Sequence, residues 1–321
     1  MKVVQPSSNV MTRPGLDEHD ILQFIEQVGR TCYKSEDKIT DGSAEKFVAG
    51  ILSRGHEAVI EHASLIYKAT EEAFREIQYA VNRHESLDGV NLFLRFTENN
   101  GRYIISGNIR AWRQFIDCSY GHAGIISKVA QIVSDYPALF PEFCFGQALV
   151  DISRTHLRPI TVDDLVGRIE HLVHHDVTVR FICDRGVSHE IVRHRAASCC
   201  QESTRYCNYS SGKFGGELTF INPVWLDRTA TGYALWRHIL KQIETQYLYF
   251  VSIGFSPQEA RSILPNSLKT EVVMTANLGE WLHFFTLRRS PAAHPDMRFS
   301  ADLAYTNMTQ DATIAKILVE G

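Results

Sequence analysis

Three arginines, a histidine, two serines and a glutamine fall within one short stretch, Arg193-His194-Arg195-Ala196-Ala197-Ser198-Cys199-Cys200-Gln201-Glu202-Ser203-Thr204-Arg205-Tyr206. Guanidinium groups pair bidentately with phosphate oxygens, and the hydroxyls and amide add donors and acceptors around them. The stretch reads as a site for one or more phosphorylated ligands. The competing reading is a solvated basic face that runs into a polar loop.

The rest of the composition favours the ligand. The formal net charge is -4 and the isoelectric point about 6.4, which argues against a dedicated nucleic-acid binder. A local concentration of arginine in a mildly acidic chain suits a small anion. Apolar residues make up 44% and charged residues 22% of the 321 positions, as in a soluble protein with a sizeable core. No apolar run reaches the roughly 18 to 20 residues of a membrane span, and Met1 to Pro14 lacks the apolar stretch of a secretory signal. The cysteines form no CxxC pair, so neither a zinc site nor a disulfide framework is indicated, and a cytoplasmic location is expected. A second polar cluster, His171, His174, His175 and Asp176, has ligand types that suit a divalent metal, and a metal-dependent phosphohydrolase is the rival reading it supports.

These groups need elements to hold them. Apolar spacing predicts helices over 17–30 and from Ser43 to Gly55, and a strand over 65–70. Residues 71–160 are the least transparent, with helical patches at 109–118 and 125–133 between separators such as Asn99-Asn100-Gly101. Thr161 and Asp164 suggest a capping box for a helix reaching His174. Alternation over 177–183 marks the clearest strand, and Asp184-Arg185-Gly186 turns it into a helix ending near Arg195. A strand at 218–222, a long helix around 233–251, a short helix opened by Ser256-Pro257, a strand over 268–276 and a helix to Arg288 follow. No internal repeat is visible. The order has no regular βαβ rhythm, so the expected class is α+β, a mixed sheet flanked by helices.

The pattern RHR-x2-S-x4-S-x-R-Y closely resembles that of flavin-dependent thymidylate synthases. Three further elements resemble the family in the same order. They are His56 to His62 (H-E-x-x-x-E-H), Ala260-Arg261-x-x-Leu264-Pro265, and Asn277 through His283 to Arg288. The resemblance implies one α+β domain over 1–321 with a largely helical insertion at about 71–160. It also implies a homotetramer with active sites shared among subunits. The implied reaction converts dUMP to dTMP with 5,10-methylenetetrahydrofolate as carbon donor and FAD, reduced by NADPH, as hydride source. Membrane and nucleic-acid partners are not expected.

Carried over residue by residue, the resemblance assigns dUMP contacts to Gln201, Ser203, Arg205 and Arg261, with Arg193 reaching dUMP as well as FAD. It assigns FAD contacts to Arg193, His194, Arg195, His56, Glu61, Asn277 and His283, and Gln201 is grouped with them too. Glu190 falls where the family commonly has a dUMP-contacting glutamine; a carboxylate there would repel phosphate unless paired. Arg288 matches an arginine held over the uracil ring, where a fixed charge stabilises developing negative charge. No metal is implied, and no cysteine nucleophile, although Cys199 and Cys200 lie inside the motif. Ala58 and Cys32 stand where hydroxyl residues are common.

Overall fold

In the computed structural model, which describes residues 1–83, 93–143 and 156–319, ten strands form three sheets. The strands are β1 (Lys2–Val4), β2 (Ser7–Met11), β3 (Ser64–Ala69), β4 (Leu94–Asn99), β5 (Arg102–Asn108), β6 (Leu157–Ile160), β7 (Asp176–Asp184), β8 (Ser198–Gln201), β9 (Thr219–Ile221) and β10 (Lys269–Asn277). One sheet has the order β2-β7-β10-β8, a second β4-β5-β3-β6, and both are antiparallel throughout. Among the described residues the one parallel pair is the small sheet β1-β9. The α+β class stands, with the parallel element confined to that pair.

The central strand β7 follows from its alternation: Val177, Val179, Phe181 and Cys183 are buried against Trp281, Phe284 and Phe285 of the helix Leu278–Arg288. Trp281 also donates its indole N–H to the Val177 carbonyl at 3.0 Å, which satisfies the polar edge of a fully buried ring. Helix starts are fixed by capping. Asp184 accepts from the Val187 amide at 2.6 Å, Asn108 from Ala111 at 2.8 Å and Asn277 from Glu280 at 2.8 Å.

Several expectations need refinement. The described part of residues 71–160 is not helix alone: beside helices Glu71–Arg83, Ile109–Cys118 and Ala123–Asp135 it supplies β4, β5 and β6. Asn100 and Gly101, both at positive φ, form the tight turn of the β4–β5 hairpin rather than a separator between helices. The Thr161–Asp164 capping box closes a single 3-10 turn, and a separate helix, Gly167–His174, follows. Within the arginine-rich stretch, Ser198–Gln201 is a strand rather than loop.

The last correction is larger, because an internal repeat exists in the backbone. Reading the second sheet as β6-β3-β5-β4 aligns it with β2-β7-β10-β8, strand for strand. Ser64 opens β3 opposite Asn108, as Asp176 opens β7 opposite Asn277. Ile66 faces Ile160 as Thr178 faces Met11, and Arg95 faces Ser106 as Ser198 faces Thr275. After β5 and β10 the chain enters a helix through a capping asparagine, and Trp112 with Phe115 then packs as Trp281 with Phe284 does, all four fully buried.

Candidate functional site

The arginine-rich stretch hangs from two rigid strands. β7 leads into helix Arg185–Ile191, a turn carries Arg193 to Ala197, and β8 pairs with β10 before a second turn holds Ser203 to Tyr206. β10 leads directly into helix Leu278–Arg288. Because the two strands are antiparallel, the two helices leave from opposite ends of the sheet and run back towards each other, so that their C-terminal ends meet.

There Arg288 donates from Nη1 to a Glu190 carboxylate oxygen at 2.7 Å and from Nη2 to the Glu190 main-chain carbonyl at 2.9 Å. Next to this pair His194 shares a 3.0 Å hydrogen bond with Glu280 and packs its ring 5.6 Å from that of His283. Burial lowers the His194 pKa, opposed by the Glu280 carboxylate. Asn277 enters the same group through its cap on the Glu280 amide. Arg193, Arg195 and His283 are exposed beside it.

A second group forms around the turn after β8. The Gln201 amide nitrogen donates to Ser188 at 2.8 Å and Thr270 at 3.2 Å, which leaves its carbonyl oxygen to meet a ligand. The Ser203 amide donates to the Cys32 carbonyl at 3.0 Å, and its hydroxyl accepts from the Arg205 amide at 3.3 Å. Arg205 lies over the Tyr206 ring, and Arg261 donates to Thr204 at 3.4 Å. Tyr206 packs on Tyr33, whose hydroxyl bonds His56 at 3.3 Å. Glu61 reaches the first residue of β8, accepting from Ser198 at 3.0 Å while Arg110 holds it at 2.5 Å.

All the predicted ligand residues thus lie along one strand–turn system, in two groups joined by β8. Four elements widely separated in sequence converge on it. Among the described residues no carboxylate pairs with Arg193, Arg195, Arg205 or Arg261, so four guanidinium groups face solvent without an ion partner. A cavity of about 410 Å³ opens at the start of β8, lined by Glu61, Ala196, Ser198, Asn277 and Glu280 among others. A larger one, about 710 Å³, contains none of the predicted ligand residues.

Several groups that organise the site were not foreseen. Glu202 and Glu271 are buried under the β8 turn, where Lys269 bridges them and Lys34 and Arg180 also hold Glu271. Burial alone would raise the Glu271 pKa; Lys269 and Lys34 pull it down to about 2. Arg110 and Glu280 were also missed, although Glu280, three residues after a capping asparagine, carried a signal. Of the thiols in the motif, burial pushes Cys199 up to about 12, and Cys200 is raised well above its ordinary value by its hydrogen bond with Cys32 and by burial.

The rival metal cluster is not assembled. His174 turns into the core and bonds Ser106 at 2.7 Å, and Asp176 is taken bidentately by Arg95 at 2.6 Å. Only His171 and His175 face each other, at 3.3 Å.

Comparison with known proteins bears on the same residues. A family model described as thymidylate synthase complementing protein matches residues 165–312. That span holds every predicted site residue except His56 and Glu61. The flavin-dependent thymidylate synthase of Pyrococcus furiosus is 34% identical over 116 residues, 36% of this chain and 47% of that protein. The enzyme of the same name from Geobacter sulfurreducens is 27% identical over 168 residues, 50% of this chain and 71% of that one. A solved structure of the UMP/dUMP methylase PolB from Streptomyces cacaoi, bound with 5-Br dUMP, aligns over 97% of this chain and 93% of its own, at 11% identity and a TM-score of 0.38. The chain spans about half the length of the first curated relatives it matches. Through residues 165–312 the chain is similar to the thymidylate synthase complementing protein family, and the curated relatives it matches carry the name flavin-dependent thymidylate synthase.

Proposed function

We propose that this chain is a flavin-dependent thymidylate synthase. It methylates dUMP to dTMP in the cytoplasm, with 5,10-methylenetetrahydrofolate as carbon donor and NADPH-reduced FAD as hydride source. The observation that carries this reading is the convergence of the three other family-like elements on the arginine-rich motif and the helix just before it. Glu61 meets Ser198, Arg261 meets Thr204, His283 meets His194, and Arg288 meets Glu190.

The residues present fit FAD. A dinucleotide needs cations and donors for its diphosphate, and Arg193 and Arg195 stand exposed without carboxylate partners beside the Glu61–Asn277 cavity. Arg193, His194, Arg195, His56, Glu61, Asn277 and His283 would hold it, with Gln201 at the border with dUMP. When bound, FAD supplies the redox and carbon-transfer chemistry, as cofactors do for reactions side chains cannot perform.

The chain's own residues bind and polarise. Arg205 and Arg261 receive the dUMP phosphate, and Ser203 and the Gln201 carbonyl orient the nucleotide. Arg288 keeps donors to spare after its two bonds to Glu190. Its guanidinium stays protonated, so it stabilises negative charge developing on the pyrimidine rather than acting as a base. Glu190, paired in this way, is no longer a free negative charge beside the phosphate. It fixes where Arg288 stands.

The test is tritium release from [5-³H]dUMP by flavin-loaded protein given NADPH and methylenetetrahydrofolate. Release with dTMP formation is expected, and a purified protein that absorbs in the flavin bands. A flavin-loaded, folded protein that releases no tritium refutes the assignment, and dUMP binding without release would leave a nucleotide-binding regulatory protein.

A further inference from the structure

The repeat described above has a specific architecture. β2 precedes β3 in the chain, yet it pairs with β7 in the C-terminal half. β6 directly precedes β7, yet it pairs with β3 in the N-terminal half. Each half therefore gives its leading strand to the other, in the same register.

The contacts between halves are reciprocal as well. His62, two residues before β3, bonds Thr275 of the other half through Nδ1 at 2.7 Å; His174, two residues before β7, bonds Ser106 through Nδ1 at 2.7 Å. Thr275 and Ser106 are equivalent, each two residues before a capping asparagine. In both histidines Nε2 is buried without a partner among the described residues. Glu61 accepts from Ser198, and at the corresponding place the Val173 carbonyl accepts from Arg95 at 2.9 Å. The 410 Å³ cavity is lined by these equivalents in pairs: Glu61 with Val173, Arg95 with Ser198, Asn108 with Asn277. It lies where a two-fold axis between two like subunits would pass.

The chemistry is not duplicated. The position equivalent to Arg288 is Ser119, which is buried; that of His283 is Gln114; and that of Gln201 is Glu98, which pairs with Arg75 at 2.7 Å. The family model matches only the C-terminal half.

The structure assigns the N-terminal half the role of a built-in partner: the chain is a fused pair of like units. One unit carries the dUMP residues, and the other, lacking their equivalents, completes the neighbouring flavin side in cis by delivering Glu61 to Ser198. One chain then makes one nucleotide site, not two. The stoichiometry rests on the nucleotide reading above; the pairing of halves does not.

Two measurements on the full-length chain test this separately. Cysteine pairs are placed at directly opposed strand positions, Ser7→Cys with Ile182→Cys and, on an exposed edge, Lys68→Cys with Arg158→Cys. Opposed antiparallel positions lie within disulfide reach. With oxidised glutathione each pair is expected to close within one chain, giving a cross-linked single-chain band on a non-reducing gel that the wild type lacks. A two-chain band from either pair, or failure of both to close, overturns the built-in partner. Calorimetric titration of flavin-loaded wild type with dUMP is expected to give one nucleotide per chain; two per chain overturns the single site. No dUMP binding together with in-chain cross-links would remove the nucleotide reading and the stoichiometry with it, and leave the fused pair standing.

Discussion

Arg288 grips Glu190 twice, once through the carboxylate at 2.7 Å and once through the main-chain carbonyl at 2.9 Å, so the two helices that leave β7 and β10 are locked at their C-terminal ends. The second bond does not depend on the Glu190 side chain. Arg288 therefore has an anchor that survives when the carboxylate is removed. This separates the positioning of the arginine from the neutralisation of its neighbour.

From that geometry, Glu190→Gln should keep Arg288 in place through the main-chain bond and an amide acceptor, and change kcat by less than about tenfold. The pair is partly exposed, and such pairs are worth about 0–1 kcal/mol. Arg288→Ala removes charge stabilisation itself and should lower kcat about 100- to 1,000-fold, the usual cost of losing one electrostatic donor. Steady-state dTMP formation at saturating dUMP reads both. Equal losses in the two variants would mean that the carboxylate, not the guanidinium, carries the effect.

The thiols inside the motif should be dispensable. Burial holds Cys199 at a pKa of about 12, and Cys200 is pushed well above the ordinary thiol range, so neither is a thiolate at neutral pH. Cys199→Ala and Cys200→Ala are expected to retain dTMP formation, with Cys200→Ala losing some stability because its side chain is buried in the core around Cys32. Complete loss of turnover in a folded, FAD-loaded Cys199→Ala variant would sink a mechanism without a cysteine nucleophile.

Acid should loosen the junction of the two halves. Burial pushes both His62 and His174 down to about 3, so each is neutral in the folded protein, while the unfolded chain takes up protons near 6.5. The unfolded state then binds more protons, and stability falls as pH drops from about 6.5 towards 3. Each fully titrating group contributes at most about 1.4 kcal/mol per pH unit. Glu271, at about 2, loses its share only as pH falls below about 4.5, so urea melts between pH 6.5 and 5 isolate the histidine term. His62→Asn with His174→Asn should flatten that slope, and His175, pushed to about 4 by burial, leaves a remainder with His171 and His194, which burial also lowers. An unchanged slope would exclude these two side chains as its source.

The elements that sequence reveals best are those whose signal is local. β7 alternates cleanly, the capping residues Asp184 and Asn277 stand where helices begin, and the arginines of the motif need no partner to be noticed. β8 is hidden because Ser-Cys-Cys-Gln has no apolar alternation, and it is a strand only because β10 offers an edge. β4, with Arg95 and Glu98 in its middle, is hidden for the same reason. β2 and β6 are short edge strands whose partners lie in the opposite half of the chain. The repeat escapes because it is written in register and topology. Trp112 and Trp281 match, but Ser64-Leu65-Ile66-Tyr67 and Asp176-Val177-Thr178-Val179 share no residue. Arg110 for Glu61 and Glu190 for Arg288 are tertiary choices, visible only after the sheets form.

Arg205 and Arg261 offer the most direct probe of the phosphate end. They come from different elements, a turn after β8 and the short helical segment after Pro257–Ala260, and meet around Thr204. Neither has a carboxylate partner among the described residues, so neither substitution leaves a buried charge behind, and the folded protein should tolerate both. A hydrogen bond to a charged group is worth about 1.5–3 kcal/mol, so Arg205→Ala and Arg261→Ala should each raise the Kd for dUMP about 10- to 150-fold while leaving FAD content unchanged. Arg205→Lys should recover only part of the loss, because an ammonium lacks the planar fork that meets two phosphate oxygens. Because the two arginines would share one phosphate, the double variant should fall short of the summed single losses. Deoxyuridine, which lacks the phosphate, should bind wild type and variants alike; a variant that weakens deoxyuridine as much as dUMP would place these arginines away from the phosphate.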